Sequence, residues 1–112
     1  MRVTVRPGGE VLAEDVEIAR SLSSRLWGLI GKPRGSVLVL PRCRQVHTFF
    51  MRYPVDLVCA DSEWRVVRVR CGLEPWRIGP YCREAAFTIE LPAGSASSVS
   101  VGDMLALDAD GS

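Results

Sequence analysis

Apolar and polar residues alternate along most of this chain in short bursts, separated by Pro, Gly and Asp clusters. Val3-Thr4-Val5 alternates as a strand, Arg6 to Glu10 turns through Pro7-Gly8-Gly9, and Val11-Leu12 begins the return. Val16 to Ala19 alternates again. The period then changes: Leu22, Leu26 and Leu29 fall at i, i+4 and i+7, which predicts a short helix. Ser21 is a suitable N-cap for it, and Gly31 and Pro33 end it. Ser36 to Leu40 is a short, continuous apolar run rich in β-branched residues, as expected of a strand buried on both faces.

Val46 to Tyr53 predicts a further strand, with Val46, Thr48, Phe50 and Arg52 on one face and His47, Phe49, Met51 and Tyr53 on the other. Pro54 breaks it. Val55, Leu57 and Cys59 then line one face of the next strand, opposite Asp56, Val58 and Ala60, and Asp61-Ser62-Glu63 turns into a return from Trp64 to Cys71. Gly72 to Tyr81 is a long loop. Ala86 to Leu91 places Phe87, Ile89 and Leu91 on one face and Thr88 and Glu90 on the other, which on a one-sided sheet meets water. Val101 to Leu107 supplies a Gly102-Asp103 turn and the last strand. The pattern predicts an α+β, β-rich fold: a compact, mostly antiparallel β-sandwich or barrel with one short helix packed on it. Residues 1–107 form one domain in this reading, and 108–112 form a polar tail that frays. Leu38, Leu40, Phe50, Leu57, Val67, Phe87, Ile89 and Leu105 are expected in the core.

Composition narrows the function classes. A formal net charge of +1 makes no electrostatic case for nucleic acid or an anionic membrane as partner. The cations are almost all Arg, with Lys32 the lone lysine, which fits a GC-rich genome. No apolar leader follows Met1 and no stretch is long enough to span a bilayer, so a cytoplasmic monomer with reduced thiols is expected. The familiar phosphate-binding, dinucleotide, zinc-protease and nucleophile-elbow motifs are absent, and no cofactor is expected.

Six residues stand out as candidates for binding: Asp56, His47, Met51, Trp76, Arg77 and Glu90. Asp56 sits between Val55 and Leu57, where a carboxylate is costly unless it accepts hydrogen bonds or pairs with Arg. It either fixes a turn through backbone N–H groups or serves a ligand. Glu90 is flanked by Ile89 and Leu91, and a shared cleft would let it approach Asp56 or Arg77 for acid–base work. His47 shares a predicted face with Phe49 and Met51. Trp76-Arg77 in the long loop has the composition of a stacking platform, or else plugs the end of the sheet. Cys43, His47, Cys71 and Cys82 together have the donor types of a structural zinc site, but no tight C-x-x-C pair supports one, so free thiols are preferred.

Five landmarks, in order, resemble the bacterial and archaeal family called domain of unknown function 192. They are Arg25 to Ile30, Gly35 to Leu40, Thr48 to Leu57, Glu90 to Gly94, and Gly102-Asp103. Phe50 and Tyr53 stand where that family usually has tryptophan and asparagine, and Ile30 stands for a methionine. Many relatives look exported, whereas this chain shows no leader. The resemblance implies a fold and no activity. The leading expectation is therefore a non-enzymatic binding or accessory module for a small molecule or peptide. The alternatives are a small enzyme using Asp56, Glu90 and His47, and a zinc-stabilised structural module.

Overall fold

The computed structural model describes residues 2–6, 8–14, 16–19 and 36–108. Among them are eight strands: β1 (Arg2–Arg6), β2 (Glu10–Ala13), β3 (Val16–Ile18), β4 (Val37–Pro41), β5 (Val55–Ala60), β6 (Val66–Leu73), β7 (Phe87–Pro92) and β8 (Met104–Asp108). They build a three-stranded sheet in the order β2-β1-β8 and a five-stranded sheet in the order β3-β4-β7-β5-β6. The result is two packed sheets, with no closed barrel among the described residues. Every strand pair is antiparallel except β3 with β4, where Val16 lies opposite Val37 in parallel register. A parallel pair needs a crossover of a dozen or more residues. The 18 residues between β3 and β4 are long enough for one. The helix predicted from Ser21 to Gly31 falls in that connection and lies outside the described residues.

Strand periodicity explains the layering. Val39, Ile89 and Val58 stand opposite one another across β4, β7 and β5, so their side chains share one face. They meet Val3, Val5 and Leu105 of the small sheet in the inter-sheet core. Leu38, Glu90 and Leu57 are in register on the far face, where Leu38, Leu40, Val55 and Leu57 form a second core with Val46, Met51 and Leu73. Both faces of the large sheet are thus covered, which is why β4 and β5 read as near-continuous apolar runs. Leu38, Leu40, Leu57, Ile89 and Leu105 are buried as expected, while Val67 and Phe87 are half-buried.

Three expectations need correction. Val46 to Tyr53 is not a strand. It holds an isolated bridge from His47 to Ile78 and a turn in which the Met51 N–H donates to the Thr48 carbonyl. Phe50 has a φ of 66°, incompatible with an extended strand, and its ring is 63% exposed rather than in the core. Glu90 does not face water: it is only 4% exposed, because the sheet is not one-sided. Asp108, the last residue of β8, pairs with Arg2. Among the described residues no helix is long and apolar enough to cross a membrane.

Candidate functional site

Asp56 is fully buried on β5, on the inter-sheet face beside Leu91. The β5–β6 register slips there: Val55 faces Leu73 but Leu57 faces Arg70, so Asp56 stands opposite two residues, Cys71 and Gly72. Such a bulge frees a ladder N–H, and Gly72 adopts the required positive φ of 65°. Asp56 Oδ1 accepts that Gly72 N–H at 2.8 Å. Oδ2 accepts the N–H groups of Gly94 and Ala96, each at 2.9 Å. One carboxylate therefore ties β6 to the turn after β7, and both its oxygens are engaged. It also joins Val55-Asp56-Leu57 to Leu91-Pro92-Ala93-Gly94, two stretches that carry the family resemblance. Glu90 projects from the opposite face, in register with Leu57, so the sheet itself separates the two carboxylates.

A second buried polar side chain, Thr48, organises two loops. The Thr48 N–H donates to the Arg77 carbonyl at 2.8 Å, and the Thr48 carbonyl accepts the Trp76 N–H at 2.9 Å. Its hydroxyl donates to the Glu74 carbonyl at 2.6 Å and accepts the Arg77 N–H at 2.8 Å. Farther along, Gly79 N–H meets the Val46 carbonyl and Cys82 N–H meets the Arg44 carbonyl. A Cβ at Gly79 would come within 3.0 Å of the Val46 carbonyl and 3.2 Å of both Leu57 Cδ1 and Leu73 Cδ2, so only glycine lets the loop lie this close to the sheet. Segments 44–53 and 74–82 are in this way laced into one unit.

That unit presents aromatic rings to solvent. His47 stacks on Phe49 with centroids 5.1 Å apart; Phe49 tilts toward Trp76 at 6.2 Å; Phe50 meets Trp76 at 4.8 Å. Trp76 is 56% exposed. Both Phe50 and Trp76 lie in the left-handed backbone region, with φ of 66° and 63°, which costs non-glycine residues stability. His47 Nδ1 accepts the Phe49 N–H at 3.3 Å, so the imidazole is oriented as part of the shelf. Met51 is buried in the far-face core.

Beside the shelf lies an open groove of about 370 Å³ bounded by β6 and the loop from Glu74 to Pro80. Arg68 and Arg70 project into it from the far face of β6, and Arg77 from the loop. Arg77 is 3.9 Å from Glu74, both exposed.

The candidates thus divide. His47, Trp76 and Arg77 come together on the laced loops, Met51 lies in the far-face core, and Asp56 and Glu90 stand apart within the sheet. Among the described residues no three His, Cys, Asp or Glu side chains are arranged to hold a metal ion. Cys43 Sγ donates to the Gln45 carbonyl, Cys71 is exposed, and Cys82 packs with Cys59 and Ala85 under the sheet. None of the four cysteines is in a disulfide. Burial pushes the Cys59 thiol up to about 11, opposed mainly by a long contact from Thr88. Sequence reading passed over Thr48 and Gly79 as site residues. A threonine bracketed by aromatics carries no signal of a hydrogen-bond knot until the partner loop is known.

The chain from residue 3 to 107 matches the family model DUF192, described as uncharacterised. A UPF0127 protein of Pyrococcus horikoshii is 38% identical over 91 residues, spanning 76% of this chain and 78% of that protein. A UPF0127 protein of Pyrococcus abyssi is 36% identical over 96 residues, spanning 79% and 81%. Two solved structures share the fold. One is a protein of unknown function from Novosphingobium aromaticivorans, with TM-score 0.83, 17% identity, and coverage of 96% of this chain and 84% of that one. The other is a putative transcription regulator from Sinorhizobium meliloti, with TM-score 0.82, 24% identity, and coverage of 94% and 91%.

Proposed function

The chain belongs to the DUF192 family, and from that premise we propose that it is a non-enzymatic binding module whose aromatic shelf takes a small molecule or a short peptide. One observation carries the reading. Phe50 and Trp76 are more than half exposed, yet both are held in a costly left-handed conformation by a loop knot built on buried Thr48. A fold that needed only to cover its sheet would bury those rings or place glycine there. Exposed, rigid aromatics beside an Arg are the composition of a recognition surface. Acid–base chemistry finds less support, since Asp56 has both oxygens engaged with N–H donors and Glu90 lies across the sheet.

The test is ligand-observed NMR on the full chain with indole, adenosine and a tyrosine-containing tripeptide, repeated with Trp76→Ala. At least one probe should bind the native protein and lose that binding in the variant while the thermal midpoint stays put. Equal binding to both proteins, or no binding by any probe, contradicts the shelf as the site.

A further inference from the structure

Resting on that reading, we infer that the groove next to the shelf is an anion subsite, so that the preferred ligand is a small molecule carrying a flat ring at one end and a phosphate at the other. The chain as a whole is nearly neutral, at +1, yet the groove gathers three guanidinium groups, from Arg68, Arg70 and Arg77, against the single carboxylate of Glu74. Among the described residues Arg68 and Arg70 have no carboxylate within ion-pair distance. Arg70 spends one N–H on the Cys71 carbonyl at 3.3 Å, which leaves most of its fork available. Arg77 is tied to Glu74 by a contact of 3.9 Å, too long for a strong charge-assisted bond. Guanidinium forks match phosphate oxygens in pairs, and several of them on one wall favour a doubly charged group over a single carboxylate.

Geometry joins the two parts. Arg68 and Arg70 are alternate residues of one strand, so they project side by side from the same face. Arg77 follows Trp76 directly, which puts the groove wall and the shelf about one residue spacing apart along the backbone. Gly72 and Gly79 line the groove without side chains, so an anion there approaches backbone as well as guanidinium groups. A ring stacked on Trp76 and a phosphate among the arginines would span the two features.

Three probes separate the parts: adenosine for the ring, inorganic pyrophosphate for the anion, and AMP for both. Titration calorimetry on the full chain should show AMP binding more tightly than either half. Arg68→Ala/Arg70→Ala should weaken AMP and pyrophosphate by about tenfold or more, leave adenosine unaffected, and leave the thermal midpoint unchanged. Glu74→Gln, which removes the competing carboxylate, should tighten pyrophosphate binding, and added salt should weaken it. If pyrophosphate and AMP bind no better than adenosine, or the double variant binds them undiminished, the anion subsite is wrong even though the shelf stands. If pyrophosphate binds and responds to the arginines while adenosine, indole and the tripeptide all fail to bind, the groove is right and the shelf is wrong.

Discussion

Asp56 and Thr48 are both buried polar side chains that gather backbone groups from a neighbouring loop, and they produce opposite surfaces. Asp56 draws Gly72, Gly94 and Ala96 onto one carboxylate, and the turn it fixes sends Ala96 inward to complete the inter-sheet core. Thr48 binds Glu74, Trp76 and Arg77, and the loops it fixes send Phe50 and Trp76 outward. The first arrangement ends in packing. The second costs backbone strain and leaves apolar surface in water. A buried polar knot by itself therefore says nothing of function; what the knot holds in place does.

Stability measurements should separate the two. Asp56→Asn retains the shape but turns an amide N–H against backbone donors, and three charge-assisted bonds are compromised. Urea titration should show a loss of at least about 3 kcal/mol, with or without any ligand. A midpoint close to that of the native protein would remove the clamp from this account.

The same strand offers a control in which burial lacks such compensation. Cys59 is buried three residues after Asp56, and the Thr88 hydroxyl is 3.8 Å from its sulfur while lying 2.9 Å from the Cys43 carbonyl. Its thiol ionises at about 11 in the folded chain rather than 9.0, chiefly through desolvation. The unfolded chain gives up that proton first. The contribution is therefore intact below about pH 9 and fades as pH rises through about 11, at about 1.4 kcal/mol for each pH unit between them. Unfolding midpoints across that range should fall with a slope that Cys59→Ala removes. A slope unchanged in the variant would assign the alkaline sensitivity to another group.

Thr48→Val keeps the volume and deletes the hydroxyl, stranding the Glu74 carbonyl and the Arg77 N–H. The expected loss is about 1–2 kcal/mol. Exchange of the Trp76 and Arg77 amides should rise more than exchange in the β5–β7 ladder, since the damage is confined to the laced loops. Uniform loss of protection would mean that the loops and the sheet unfold together.

Much of the fold is legible in the residues, and the failures have physical causes. The period-two pattern in β1 and β7 and the near-continuous apolar runs of β4 and β5 mark the strands correctly, and a carboxylate between Val55 and Leu57 marks Asp56 as bonded. The stretch from Val46 to Tyr53 misleads because a coil that buries Val46, Thr48 and Met51 produces nearly the same pattern as a strand. What distinguishes them is a pair of long-range bonds to Arg77, invisible along the chain. Glu90 misleads for a related reason: whether a strand has one wet face depends on what covers the sheet. Trp76 and Arg77 are visible from composition, whereas their partners Phe50, Arg68 and Arg70 become meaningful only when β6 and the two loops are placed side by side.

The smallest expected change in stability belongs to Trp76→Ala, because an exposed ring contributes little packing; its effect should stay within about 0.5 kcal/mol. That makes it the most direct test of the shelf as a binding surface. Two-dimensional amide NMR of this variant, titrated with whichever of indole, adenosine or the tripeptide binds the native protein, reports fold and binding together. The expected spectrum keeps native dispersion outside segments 44–53 and 74–82 and shows no probe-dependent shifts. Collapsed dispersion would make Trp76 a structural plug, and probe-dependent shifts of native size would place the binding surface elsewhere.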